Sequence, residues 1–142
     1  MNLAEYLRRF QSRDRLAGTL GIRLETEGDA GIVARVTLDA RHMNGADCAH
    51  GGVVFALADV AFGAASNAGG VLSLGIATQI SNYKAVSRGT LHARPRLLSE
   101  TRRLAHYLVE VTDDDGTLVA AFHGTAYRKK ETPSPYGEPP EA

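Results

Sequence analysis

Asp59 is the residue whose setting asks for a chemical explanation. It is the only charged side chain in the run GGVVFALADVAFGAASN, residues 51–67, and its neighbours along the chain are Leu57, Ala58, Val60 and Ala61. An ionised carboxylate among apolar groups is costly unless hydrogen-bonded, and burial raises its pKa. Two readings fit such a group: an interface carboxylate bonded to neighbouring backbone, or a carboxylate that does chemistry. The second feature is His50-Gly51-Gly52, which opens the same run. In a helix, the first N–H groups have no intrahelical partner. They favour developing negative charge, as an oxyanion hole for an acyl carbonyl requires, and glycine lets a ligand approach closely. The same residues also make an ordinary helix entry. Asp59 and Gly51 stand about 12 Å apart along one helix at 1.5 Å per residue, so one carbonyl cannot touch both. If both act on one bond, they come from two antiparallel helices in different subunits, and each site is shared across a dimer interface.

Other side chains are weaker candidates. His42, Cys48 and His50 are zinc-ligand types, but CxxC and HExxH spacings are missing and the chain has one Cys, so no metal is expected. Cys48 as a nucleophile needs a paired His and is read as an incidental loop thiol. His50 is expected to shape the helix entry and His42 to brace the loop before it. His92, His106 and His123 fall in strands and are assigned no role. Phe55 and Phe62, at i−4 and i+3 from Asp59, either line an acyl pocket or pack in the core. Lys84, Arg88, Arg128 and Lys129 near strand ends either meet phosphates or are simply solvated. Gly63, Ala64 and Ala65 permit close approach by a partner helix or an acyl group.

The elements that position these residues follow from periodicity. Residues 51 to about 67–70 read as a helix that is apolar almost all round, which is the mark of burial. Leu3, Tyr6, Leu7 and Phe10 predict an amphipathic helix over 3–16. GIRLETEG and GIVARVTLD alternate as strands around a hairpin turn at residues 28–31. ATQISNYKAV, TLHARPRLL (weakened at Pro95), RLAHYLVEVTD and TLVAAFHGTAYRK read as four more strands, the last two flanking a tight turn at Asp115-Gly116. The order predicts an α+β fold, an antiparallel sheet wrapped around one long central helix, with the last four strands as a meander and an exposed edge free to pair. Residues 1–130 form one domain, and the Pro-rich residues 131–142 read as a disordered tail.

Bulk properties narrow the function. The chain has 142 residues, enough for one domain with a real core. Sixteen basic residues balance sixteen acidic ones, which argues against a nucleic-acid partner. The N-terminal residues lack a signal-peptide h-region, and the apolar stretch 51–65 is short for a membrane span and carries Asp59. A soluble, cytoplasmic protein is expected.

The run HMNGADCAHGGVVFALADVAFGAASN resembles the signature of the phenylacetate-type (PaaI-like) branch of hotdog-fold thioesterases. Its elements are His42 and Asn44, His50 to Gly52, Leu57 to Asp59, and Ser66-Asn67. NYKAV, the Gly89 turn, DDDGTLVA and HGTAYRK resemble the family's later strands, so the likeness covers residues 15–130. It implies a hotdog homodimer, paired again into a homotetramer, that hydrolyses an aromatic (phenylacetyl-type) or medium-chain acyl-CoA. Coenzyme A is then part of the substrate, and no cofactor is expected. It also implies Asp59 as nucleophile or general base, the Gly51 amide as oxyanion donor and Asn44 as a positioning group. Val60 and Gly63 stand where some relatives carry a hydroxyl residue, which leaves Ser66 as a candidate helper. The other function class is a non-catalytic acyl-CoA-binding hotdog module.

Overall fold

In the computed structural model, residues 1–29 and 31–141 are described; Ala30, in the expected hairpin turn, and Ala142 lie outside the described residues. The centre of the fold is helix α3, Gly51–Asn67. Ten of its seventeen residues are buried, among them Leu57, Ala61, Phe62 and Ala64. Tyr6 and Phe10 near the N-terminus cover the part of that apolar surface near Gly63 and Ala64, and a six-stranded sheet covers most of it. Its strands are β1 Arg23–Glu27, β2 Gly31–Thr37, β3 Val71–Asn82, β4 Thr90–Glu100, β5 Leu104–Thr112 and β6 Leu118–Pro133. They lie in the order β1-β2-β4-β5-β6-β3, and every neighbouring pair is antiparallel. Val36, Leu91, Ala93, Val109, Val111, Ala120 and Phe122 complete one core with the helix. This is the hotdog arrangement.

Four details differ from the sequence reading. The last four strands are not a simple meander: β4, β5 and β6 follow one another, but β3 pairs with β6 at the far edge and β4 pairs with β2. β3 also starts at Val71 and ends at Asn82, leaving residues 83–87 irregular. The N-terminal helix breaks in two, α1 Leu3–Arg13 and α2 Arg15–Leu20, because the Asp14 side chain accepts the Ala17 N–H at 3.0 Å and starts a new helix. Residues 131–141, expected as a disordered tail, instead extend β6 to Pro133 and then turn back. The Ser134 N–H donates to the Gly70 carbonyl at 3.1 Å, and the Tyr136 ring lies 4.3 Å from that of Phe10. An aromatic ring and a proline packed on Gly70 supply burial that a composition-based reading overlooks.

β3 runs along an edge of the sheet, and its outer side is unpaired among the described residues. Leu74 and Ile76 project from it, the latter 60% exposed.

Candidate active site

The N-terminus of α3 is built by its own cap. His50 is extended (φ −57°, ψ 135°), and its Nδ1 accepts the Gly52 N–H at 2.8 Å, which places the neutral ring's proton on Nε2. The His50 carbonyl takes the N–H groups of Val53 and Val54, and the His50 N–H donates to the His42 carbonyl at 2.8 Å. Gly51 is left as the first-turn amide with no acceptor among the described residues. Fully buried His42 holds the preceding loop: its Nδ1 accepts the Asp39 N–H at 2.9 Å, and its Nε2–H donates to the Leu20 carbonyl at 2.7 Å.

Gly51 opens on a cleft of about 390 Å³ lined by Cys48, Val54, Tyr83, Val86 and Val119 among others. Its outer wall is the irregular segment after β3, pinned by the Ala49 N–H to the Val86 carbonyl and the Tyr83 N–H to the Val119 carbonyl, both 2.8 Å. The sequence pattern places Tyr83 and Val86 in a strand, and nothing in their types signals the break. Asn44 sits in the loop that precedes this helix and does not line the cleft. Its Oδ1 accepts from the N–H groups of Ala46 (2.9 Å) and Cys48 (3.2 Å), so its Nδ2 is the group left to donate outward.

Asp59 is exposed, contrary to the burial its sequence neighbours suggest. Those neighbours point elsewhere around the helix. Asp59 lies on the one open stripe of α3, with exposed Gly51 and Gly52 and half-buried Phe55, Gly63 and Ser66. The packed helix around its stem strips part of the carboxylate's hydration, and this desolvation, then the like charge of Asp14, raises its pKa.

The remaining candidates divide. Phe55 straddles core and stripe, its ring edge-on to Phe122 at 5.4 Å. Phe62 is buried against Tyr107 and Phe122 and is a core residue in the single chain, not part of the open stripe. Gly75 and Gly124 make room for its ring, since a Cβ at Gly124 would stand 2.9 Å from Phe62 Cζ. Gly63 admits neither ligand nor partner in the first instance: Phe10 of the same chain fills it, 3.1 Å from where a Cβ would be. The Ser66 hydroxyl turns back onto the Gly63 carbonyl at 3.3 Å rather than toward Asp59. Tyr6 donates to the Ala64 carbonyl at 2.7 Å. Asn67 ties the helix end to β3, with Nδ2 donating to Gly63 and Ser73 carbonyls (both 3.0 Å) and Oδ1 accepting the Ser73 N–H (2.9 Å).

The four cations do not form one cluster. Arg128 and Lys129 pair with Ser73 and Leu72 at the start of β3, whereas Lys84 and Arg88 follow its other end. Lys84 is ion-paired with Asp113, and Arg88 lines a second cleft of about 510 Å³ that also holds Asp113, Asp114 and Asp115. Among the described residues no group of three or more His, Cys, Asp or Glu is placed to hold a metal, and no helix is long and apolar enough to cross a membrane.

A six-stranded antiparallel sheet wrapped on one long helix places the chain in the class of hotdog-fold proteins. A family model described as the thioesterase superfamily matches residues 47–120, just over half of the chain. The chain belongs to the thioesterase superfamily, and within it to the PaaI-like branch. The acyl-coenzyme A thioesterase PaaI of Escherichia coli K12 is 30% identical over 116 residues, covering 81% of this chain and 83% of its own. A putative esterase of Archaeoglobus fulgidus is 34% identical over 119 residues, 83% of this chain and 77% of its own. The solved structure of the Escherichia coli PaaI protein from the phenylacetic acid degradation operon superposes with a TM-score of 0.83 at 26% identity, covering 92% of this chain and 99% of that one. A mutant of the phenylacetic acid degradation protein PaaI from Thermus thermophilus gives a TM-score of 0.75 at 32% identity, covering 81% and 99%. The chain is thus a thioester hydrolase by family.

Proposed function

We propose that this enzyme hydrolyses an aromatic (phenylacetyl-type) or medium-chain acyl-CoA to the free acid and CoA, at two sites that each draw on both subunits of a homodimer. The observation that carries this is the Gly51 N–H, unpaired and open to a cleft, on the same helix as an exposed carboxylate too distant to share its substrate. Antiparallel pairing of two α3 helices brings the Gly51 of one subunit to the Asp59 of the other. The bare outer edge of β3, with Leu74 and Ile76, is the surface that favours such pairing.

In this arrangement the thioester carbonyl oxygen accepts the Gly51 N–H, and Asn44 Nδ2 positions the carbonyl or the water. Asp59 takes a proton from water as the hydroxyl adds to the carbonyl carbon, or itself adds to form an anhydride that water then cleaves. Charge gathers on the oxygen facing Gly51, where a preorganised donor counts most. Collapse expels the CoA thiolate, a leaving group good enough to need no strong general acid. His50 supports the site indirectly, by occupying the Gly52 N–H and leaving that of Gly51 open.

The test is release of free CoA from a panel of aromatic and straight-chain acyl-CoAs, wild type against Asp59→Asn. Turnover on one acyl class, abolished in the variant while acyl-CoA affinity persists, supports the reading. Wild-type turnover in the variant would sink the role of Asp59. Binding without turnover on every member would identify a binding module instead.

A further inference from the structure

The thioesterase reading leaves the acyl end of the site unassigned, and the open stripe of α3 constrains it. Going from Asp59 toward the helix C-terminus, the next residue on the stripe is Gly63. The Phe10 ring seals it, backed by Tyr136 at 4.3 Å from the C-terminal segment. Going the other way, the next residue is Phe55, the one large side chain on the stripe and only half buried. The bulky, charged part of CoA must stay in the solvent-open cleft beyond Gly51, at the N-terminal end of α3. The acyl group then runs away from that cleft, which is the direction of Phe55.

Symmetry sharpens the point. In an antiparallel two-fold pair, 51 opposite 59 and 59 opposite 51 place 55 opposite 55. We infer that Phe55 is a specificity-determining residue: its two copies meet on the two-fold axis, midway between the two sites, and form the end wall of both acyl pockets. The inference rests on the shared-site thioesterase reading. Four residues separate Phe55 from each reacting centre, about 6 Å at 1.5 Å per residue, a depth suited to one ring or a short chain. Its ring is held by a T-shaped contact with Phe122, which is itself fully buried.

The experiment compares kcat/KM for hexanoyl-, phenylacetyl-, decanoyl- and myristoyl-CoA in wild type, Phe55→Leu and Phe55→Ala, with thermal unfolding run in parallel. Each added methylene that gains a pocket is worth about tenfold or more in selectivity. The myristoyl-to-hexanoyl ratio should therefore rise at least about tenfold in Phe55→Ala and by less in Phe55→Leu. Phe55→Leu, which keeps an apolar plug against Phe122, reads the same ratio if the alanine variant unfolds. An unchanged ratio in the folded variants overturns the inference while leaving the thioesterase reading intact, and so does an equal loss across the panel. A wild type inactive on every member sinks the thioesterase reading itself, and this inference with it.

Discussion

Replacing Gly51 by proline removes one hydrogen atom of interest and little else. Gly51 is the first residue of α3, where proline's missing N–H costs no helical bond and its φ is already suited. His50, which precedes it, is at φ −57° and ψ 135°, the extended conformation that a residue before proline prefers. A Cβ added at Gly51 meets nothing within 4 Å. The fold should therefore be retained, with stability unchanged or raised by about 0.4–1 kcal/mol through the stiffer unfolded chain. Turnover should fall by about 10²–10³-fold, about 2.7–4 kcal/mol, the usual cost of one oxyanion donor. Gly51→Ala keeps the N–H and should stay within a few-fold of wild type. The assay is single-substrate thiol release with urea unfolding alongside. Affinity for an unreactive S-alkyl-CoA thioether, which has no carbonyl to polarise, controls for a blocked cleft and should hold. A folded Gly51→Pro with wild-type kcat would refute the assignment. A loss of thioether affinity as large as the loss of turnover would show that the ring obstructs the cleft instead.

Four further outcomes are expected. The acid limb of the kcat/KM profile should titrate above the ordinary aspartate value of about 4, because the proposed role needs Asp59 ionised while partial desolvation by the packed helix around it, then Asp14, hold its pKa up. With its pKa raised, the fold favours protonated Asp59; that stabilisation is complete below the unfolded pKa and is lost as pH rises through the folded value. Asp59→Asn should consequently not lower Tm at neutral pH, and a clear drop would count against the desolvated setting. Asn67→Ala orphans the buried Ser73 N–H and cuts two bonds from Nδ2, so urea unfolding should show a loss of about 2–4 kcal/mol; a loss under about 0.5 kcal/mol would deny the clamp any weight. Ile76→Lys places a charge on the bare β3 edge at little cost to the single chain, about 0.5 kcal/mol or less. Sedimentation should then report smaller particles than wild type, and an unaltered distribution would move the subunit contact elsewhere.

What is readable in the sequence is what local pattern decides. The apolar, small-residue run 51–67 can only be a covered helix, and the Asp115-Gly116 turn fixes the β5–β6 hairpin. What is not readable depends on distant partners. That β3 pairs with β6 rather than β4 is settled by how α3 carries the chain across the sheet, which no window of sequence contains. Asp59 illustrates a subtler failure. Its chain neighbours are apolar, but successive helical residues are turned 100° apart, so Leu57, Ala58, Val60 and Ala61 face the sheet while Asp59 faces out. Phe55 and Phe62, seven residues apart, stay on one face of the helix and both meet Phe122, but they sit about 10 Å apart along its axis, where the surroundings bury Phe62 and leave Phe55 half-covered. Tyr136 is hidden by its proline-rich surroundings, where disorder is the compositional expectation but one ring finds Phe10.

The outer edge of β3 sets conditions on handling and abundance as well as on assembly. If each site is completed by a second subunit, as proposed, specific activity becomes a mass-action quantity that falls on dilution, and a sparse population in a cell would hold catalytic capacity in reserve. At the opposite extreme, a twelve-residue strand bearing Leu74 and Ile76 is sticky whenever it is unpaired, so crowded refolding exposes the same edge to indiscriminate partners. On the proposed pairing, one strand thus bounds the working range of concentration from both sides.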